Sequence, residues 1–166
     1  SAESGISTFR DSNGLWENHR IEDVASPEGF ARNQQLVLDF YNLRRRQLKE
    51  VKPNLAHEIL AELEQDFDVY IITQNVDDLH ERAGSKNVIH LHGELKKVRS
   101  VKNSTKIYDW KNDCNLGDLD ELGNQLRPHI VWFGEMVTEM ENAAEIASEA
   151  DIFIVIGTSM QVYPAA

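Results

Sequence analysis

Apolar positions along this chain follow two rhythms. One has the three- and four-residue spacing of helices; the other forms short unbroken runs. Over residues 33–50, Leu36, Phe40 and Leu43 define one stripe with Val37 and Leu48 beside it, which predicts an amphipathic helix. Pro53 and Asn54 then open a second helix through residue 65, carried by Leu55, Ile59, Leu60 and Leu63. Residues 69–73, 88–91, 130–133 and 151–156 read as short strands. Several are almost wholly apolar, as strands covered on both faces must be. Residues 138–150 supply a helix before the last of them. Strand, helix and strand in succession imply right-handed crossovers and a parallel sheet, so the class is α/β. Residues 99–123 are polar and lack a clear period, which predicts a small insert. There are no repeats and no low-complexity tracts.

Composition narrows the picture modestly. A chain of 166 residues is long enough for one domain with a substantial core. A formal net charge of -11 argues against binding a phosphate backbone. The single cysteine, Cys114, excludes an internal disulfide and fits a reducing compartment. No apolar run approaches the about 18 residues needed to span a bilayer, and no basic start precedes an apolar stretch. These features point to a cytoplasmic location.

The candidate chemistry lies beyond the run Val69-Tyr70-Ile71-Ile72. There Thr73-Gln74-Asn75-Val76-Asp77-Asp78-Leu79-His80-Glu81-Arg82-Ala83-Gly84 places amides, a carboxylate and a histidine past a strand end. Ligands of open α/β sheets bind outside the carboxyl ends of strands, although a polar loop with a capped turn looks similar in isolation. His90-Leu91-His92-Gly93-Glu94 follows, with both histidine rings expected on one side of a strand. Further motifs are Ser1-Ala2-Glu3-Ser4-Gly5-Ile6-Ser7-Thr8-Phe9-Arg10, Val131-Trp132-Phe133-Gly134-Glu135 and Gly157-Thr158-Ser159.

Taken together and in this order, these motifs resemble the sirtuins, NAD-dependent protein lysine deacylases. The likeness runs from the first residue to the last and is nearest to bacterial sirtuins that remove succinyl and malonyl groups. It implies a Rossmann-like parallel sheet with flanking helices, and a small module over residues 96–128. It also implies transfer of an acyl group from lysine to the ADP-ribose part of NAD, with release of nicotinamide. His92 matches the catalytic base, a role suited to a group titrating near working pH. Ser1, Ala2, Glu3, Ser4, Gly5, Ile6, Phe9 and Arg10 match the cofactor-covering segment, with Ser7 where most sirtuins carry proline. Gln74, Asn75, Val76 and Asp77 match contacts to ribose and the nicotinamide amide; Gly157, Thr158 and Ser159 match further cofactor contacts. Val131, Phe133, Gly134 and Glu135 match the strand that receives the acyl-lysine peptide.

Tyr41 and Arg44, spaced i and i+3 on one helix face, match the pair that marks sirtuins accepting acidic acyl groups. A guanidinium and a phenol together suit a carboxylate. His90 reads better as a partly buried histidine satisfied by a neighbour. The expected partners are acylated-lysine proteins, with no nucleic acid or membrane and with the protein monomeric. Sirtuins mostly carry two Cys-x-x-Cys pairs after the His-Gly motif, because a tetrahedral zinc site requires four ligands. Here the interval holds only Cys114, with Ser100 about where the first thiolate would stand, so no metal is expected. Packing around Ile107, Tyr108, Trp110 and Leu122 is expected to hold the module instead. The chain reads as the central piece of a sirtuin domain. Two alternatives stand beside a deacylase: an NAD hydrolase or ADP-ribosyltransferase using the same pocket, and a non-catalytic NAD-binding fragment.

Overall fold

Asn33 starts the longest helix by accepting a hydrogen bond from the Leu36 amide at 3.0 Å, which satisfies one of the orphan donors of the first turn. That helix, α3 (Gln34–Gln47), is preceded by a two-stranded hairpin and two short helices. A computed structural model describes residues 1–6, 15–16 and 18–166 of the chain. A 3₁₀ turn, Ala2–Ser4, comes first. The hairpin is β1 (Leu15–Trp16) with β2 (His19–Arg20), followed by α1 (Ile21–Val24), α2 (Pro27–Arg32) and α3 (Gln34–Gln47). Next come α4 (Leu55–Leu63), β3 (Ile71–Thr73), α5 (Leu79–Ala83) and β4 (Val88–His90). The chain continues through β5 (Gly93–Ser100), β6 (Ile107–Asp109), β7 (Leu126–Ile130) and α6 (Met140–Glu149).

The expected parallel pairing is present between β3 and β4, in the register Ile71 with Val88, Ile72 with Ile89 and Thr73 with His90. Helix α5 forms the crossover, so the ends of both strands open on the same side. Residues 151–156 do not form the expected strand. They have no ladder partner among the described residues, and Ile152, Phe153, Ile154, Val155 and Ile156 are 52–69 % exposed. An apolar run becomes a strand only when a neighbour accepts its backbone bonds. The run at 130–133 also ends early: its ladder stops at Ile130, and a turn follows in which the Glu135 amide donates to Trp132 O.

The three expected helices are present as α3, α4 and α6, while α1, α2 and α5 were not expected, and the faces of α3 and α4 are rotated. On α3, Leu43 is exposed, while the buried side combines Val37, Phe40 and Tyr41 with Asn42, Arg44 and Arg45. Arg45 reaches the β5 backbone, donating from Nε to Leu95 O at 2.8 Å, and also bonds Asn42. Asn42 in turn donates to Cys114 O and accepts from the Cys114 amide. On α4, Leu55 and Ile59 are exposed and His57 is the buried residue, its ring 4.6 Å from that of His80 on α5.

The polar stretch is the antiparallel sheet β6-β5-β7, spanning Gly93–Ser100 to Leu126–Ile130. A bulge between Gly93 and Val98 breaks its register and turns the Leu95 amide toward Val76 O at 2.8 Å. Packing around the four named residues is not what holds its far end, because Ile107 and Leu122 are exposed; only Tyr108 and Trp110 pack on the core. A polar hub does that work instead. Ser100 Oγ donates to Asp120 Oδ2 at 2.6 Å. Asp120 also accepts from the amides of Leu122 and Asn124 and from the Asn124 side chain. The Ser100 bond is the largest reason the Asp120 carboxyl sits well below the usual carboxylate range.

These residues do not suit zinc. Ser100 and Asp120 are committed to each other, and burial pushes the Cys114 thiol up to about 11, away from the thiolate that zinc requires. Asp120→Ala is therefore expected to lower the melting temperature, and stability should fall with acid as the depressed Asp120 carboxyl is protonated. Chelator treatment should leave the melting temperature unchanged. A chelator-induced fall together with stoichiometric zinc would overturn the hub.

Candidate active site

The ends of β3 and β4 bring together Ser1, Gln74, Asn75, Thr158 and His92. Thr73 Oγ1 accepts from the Asn75 amide at 3.1 Å and so turns the chain sharply off the strand. Asn75 Nδ2 then donates to Ser1 Oγ at 2.9 Å, and Gln74 Nε2 donates to Thr158 Oγ1 at 3.3 Å. Segments 74 and 84 residues distant in sequence thus meet at one strand end. Ala2, Glu3 and Ser4 form the 3₁₀ turn, closed by Gly5; Ile6 packs on the main core. The Ser4 hydroxyl is buried and makes no hydrogen bond among the described residues. Gly157 and Ser159 flank Thr158. Phe9 and Arg10, like Ser7, lie outside the described residues.

His92 follows β4. Its Nδ1 lies 3.2 Å from Gln74 O. A carbonyl oxygen only accepts, so Nδ1 carries the proton and Nε2 keeps its lone pair. Burial, partly offset by that carbonyl, pulls the His92 pKa below the ordinary imidazole value. The ring is therefore neutral near pH 7, with its basic nitrogen presented by an anchored tautomer.

Asp77 is buried at the head of α5, where Oδ1 accepts from the Leu79 amide at 3.1 Å. That is the turn-capping role, held by one of the two carboxylate oxygens. His57 and His80 lie close enough to feel its charge, and burial lowers the pKa of each. Val76 packs on the core and gives its carbonyl to Leu95.

The expected peptide strand is joined to this centre, because the Val131 amide donates to His92 O at 2.9 Å. Phe133, about half exposed, is tied through its amide to Ala25 O; Gly134 is exposed. The Glu135 side chain does not present itself to a substrate. Its carboxylate takes bonds from Arg127 at 2.7 Å, from Arg99 at 2.9 Å and from the Trp132 amide at 2.9 Å. Arg127, unmarked in the sequence reading, also lies over the Trp132 ring, 3.3 Å from its centroid. No local sequence signal marked it, because its burial and its pairing with Glu135 are set by the fold.

Tyr41 and Arg44 form a second group on the buried face of α3. Trp132 Nε1 donates to the Tyr41 hydroxyl at 3.0 Å, linking α3 to the 131–135 segment. The Arg44 guanidinium lies over the Phe40 ring and donates to Phe40 O at 3.0 Å. Burial pushes the Tyr41 phenol far above its ordinary value, so it stays protonated.

An anchored histidine beside clustered hydroxyl and amide side chains at parallel-strand ends stands where ligands of open α/β folds bind. The Sir2 family model matches residues 1–164, and the chain belongs to the Sir2 family. A Helicobacter pylori protein named NAD-dependent protein deacylase is 62 % identical over all of this chain, which spans 72 % of that relative. Among solved structures, a Sir2 homologue in complex with ADP-ribose superposes with a TM-score of 0.88 at 44 % identity. That match covers 99 % of this chain and 68 % of the other. A Sir2 mutant bound to a p53 peptide and NAD matches at a TM-score of 0.80 and 34 % identity, covering 99 % and 69 %. Among the described residues no helix is long and apolar enough to cross a membrane.

Proposed function

We propose that this chain carries the catalytic centre of an NAD-dependent protein lysine deacylase. The observation that carries the reading is the meeting of Ser1, Gln74, Asn75 and Thr158 beside His92, whose tautomer is anchored by Gln74 O. The groups present suit the cofactor: hydroxyls and amides can both donate to and accept from ribose hydroxyls and can donate to phosphate oxygens, and among the described residues the buried Ser4 hydroxyl lacks a protein partner. When bound, NAD supplies an electrophilic ribose carbon and the hydroxyl that receives the acyl group. Ser1 to Ile6, Gln74, Asn75, Val76, and Gly157 to Ser159 hold it, with Phe9 and Arg10 expected to cover it. Among the described residues, the second oxygen of Asp77 would be free to accept from the nicotinamide amide. His92 Nε2 would take the proton of a ribose hydroxyl. The acyl-lysine backbone adds along Val131, Phe133 and Gly134, while Glu135 holds that segment in shape from within. The antiparallel β5-β7 module belongs to the same single domain. On this reading the protein is a cytoplasmic monomer acting on acylated proteins, without nucleic-acid or membrane partners.

Mass spectrometry of acylated peptides incubated with the protein tests this. The acyl mass should disappear only when NAD is present. NAD consumption without any peptide would favour the hydrolase reading instead.

Acidic acyl groups are accepted on this reading, held by Arg44 and Tyr41 beside Trp132. Arg44→Met keeps an apolar stem and removes the guanidinium. Losing a charge-assisted pair costs about 1.5–3 kcal/mol, so succinyl-lysine turnover should fall on the order of 10- to 150-fold, with deacetylation far less affected. Equal losses for both acyl groups would reassign Arg44 to the fold.

A further inference from the structure

We infer that His90, held by Glu81, is a positioning residue for this reaction: its ring grips the Asn75 carbonyl and so sets the loop against which His92 works. The inference rests on the deacylase reading for its effect on turnover, but not for the grip itself. His90 and His92 are two residues apart, and their rings take consecutive carbonyls of one loop. His90 Nδ1 lies 2.9 Å from Asn75 O, and His92 Nδ1 lies 3.2 Å from Gln74 O. The Gln74 and Asn75 side chains carry the links to Thr158 and Ser1. Tilting either peptide unit would therefore move the cofactor contacts and the basic nitrogen together.

His90 differs from His92 in its second nitrogen. Nε2 lies 2.7 Å from Glu81 Oε1 on α5. Both nitrogens thus face acceptors, and only the imidazolium satisfies both. The neutral ring must turn a lone pair toward either the carbonyl or the carboxylate, and one contact becomes repulsive. Glu81, His90 and Glu94 also bring ligand atoms within 4.8 Å of one another. Both ring nitrogens are already engaged and Lys97 pairs with Glu94 at 2.6 Å, so the cluster reads as an ion-pair network rather than a cation site.

Charge around the ring supports the same state. Burial alone would lower the His90 pKa. The Glu81 bond, the Asn75 carbonyl and the charges of Glu81 and Glu94 outweigh it, and the pKa is raised. His80, the other titratable group facing it from α5, has its own pKa lowered by burial. A raised folded pKa means that the grip is fully present below the unfolded value and is lost as pH rises through the folded one. His92, with its lowered pKa, gains base activity as pH rises from the acid side. Turnover should therefore show an acid limb set by His92 and an alkaline limb set by His90.

The test is the pH profile of kcat/KM for NAD in the intact protein, together with NMR titration of the histidine rings. Glu81→Gln removes the partner that raises the His90 pKa, so the alkaline limb should move to lower pH. The His90 resonance should move with it. His90→Leu should raise the KM for NAD by about tenfold, the scale of one lost charge-assisted bond. His90→Asn keeps an N–H where Nδ1 stood, so it should recover most of that loss while abolishing the alkaline limb. An alkaline limb unmoved in the folded Glu81→Gln and His90→Asn proteins would overturn the inference. So would a His90 titration that Glu81→Gln leaves in place. If His90→Leu fails to fold, Glu81→Gln decides alone, since the Glu81 side chain is 39 % exposed and its loss leaves no buried gap. Wild-type protein that removes no acyl group would sink the deacylase reading, while the NMR comparison would still decide whether the grip exists.

Discussion

Replacing His92 with alanine should lower NAD-dependent deacylation by about 10²- to 10⁴-fold, the usual loss when a general base is removed. The fold should survive, because the ring is only partly buried and, among the described residues, makes one bond, to Gln74 O. That bond gives His92 two separable duties, proton acceptance at Nε2 and anchorage of the Gln74 peptide at Nδ1. His92→Asn separates them, since it keeps a donor near the position of Nδ1 and lacks any base. If proton transfer is what counts, His92→Asn should be as inactive as His92→Ala. If His92→Asn instead restores much of the turnover, the histidine is an anchor and the base lies elsewhere. In the wild-type protein the acid limb should fall below the pH at which a free imidazole titrates, because burial favours the neutral ring. Steady-state rates across pH, with melting curves for each variant, check every part of this.

The elements that carry the chemistry were legible in the sequence because their signals are local. Asn33 and Asn54 marked helix starts, and each caps its helix as those residues do. The polar run after Ile72 sits beyond a parallel strand, and Ser1, Gln74, Asn75 and Thr158 converge there. What periodicity misread was which face of a helix turns inward. Leu43 and Leu55 were expected inside and are 55 % and 68 % exposed, while Asn42, Arg45 and His57 are buried. A hydrophobic stripe records transfer free energy residue by residue. It has no term for a polar group whose partner is the backbone of a distant strand. Arg45 lies 50 residues from Leu95, and Asn42 lies 72 from Cys114. Glu135 went the same way: a motif match suggested substrate contact, whereas Arg127 and Arg99 hold its carboxylate within the fold. The strand expected at 151–156 shows the complementary limit, since apolar composition cannot say whether a neighbour is present to pair with it.

Among the described glycines, Gly93→Ala should be the most damaging added methyl. Gly93 sits at φ 82°, in the left-handed region, where β5 meets β7 opposite Ile130. A Cβ built there would lie 2.1 Å from His129 O, a backbone atom with no rotamer through which to retreat. The dihedral alone costs about 1–2 kcal/mol for a residue other than glycine. Forcing the strands apart adds about 1–3 kcal/mol, as overpacking does elsewhere. At about 2–4 °C per kcal/mol for a chain of this size, the melting temperature should fall by roughly 4–20 °C. Gly123→Ala isolates the first contribution. Gly123 has a similar φ of 80° but nothing within 4 Å of its Cβ position, so only the dihedral penalty applies. The difference between the two melting temperatures therefore measures the strand contact. That contact also fixes His92, whose carbonyl accepts from the Val131 amide one residue past the Gly93–Ile130 pair. Whatever fraction of Gly93→Ala remains folded should thus bind NAD normally yet turn over acyl-lysine slowly. Equal melting temperatures for the two alanine variants would show that β7 yields to the methyl at little cost, and that the glycine after His92 serves only its backbone angle.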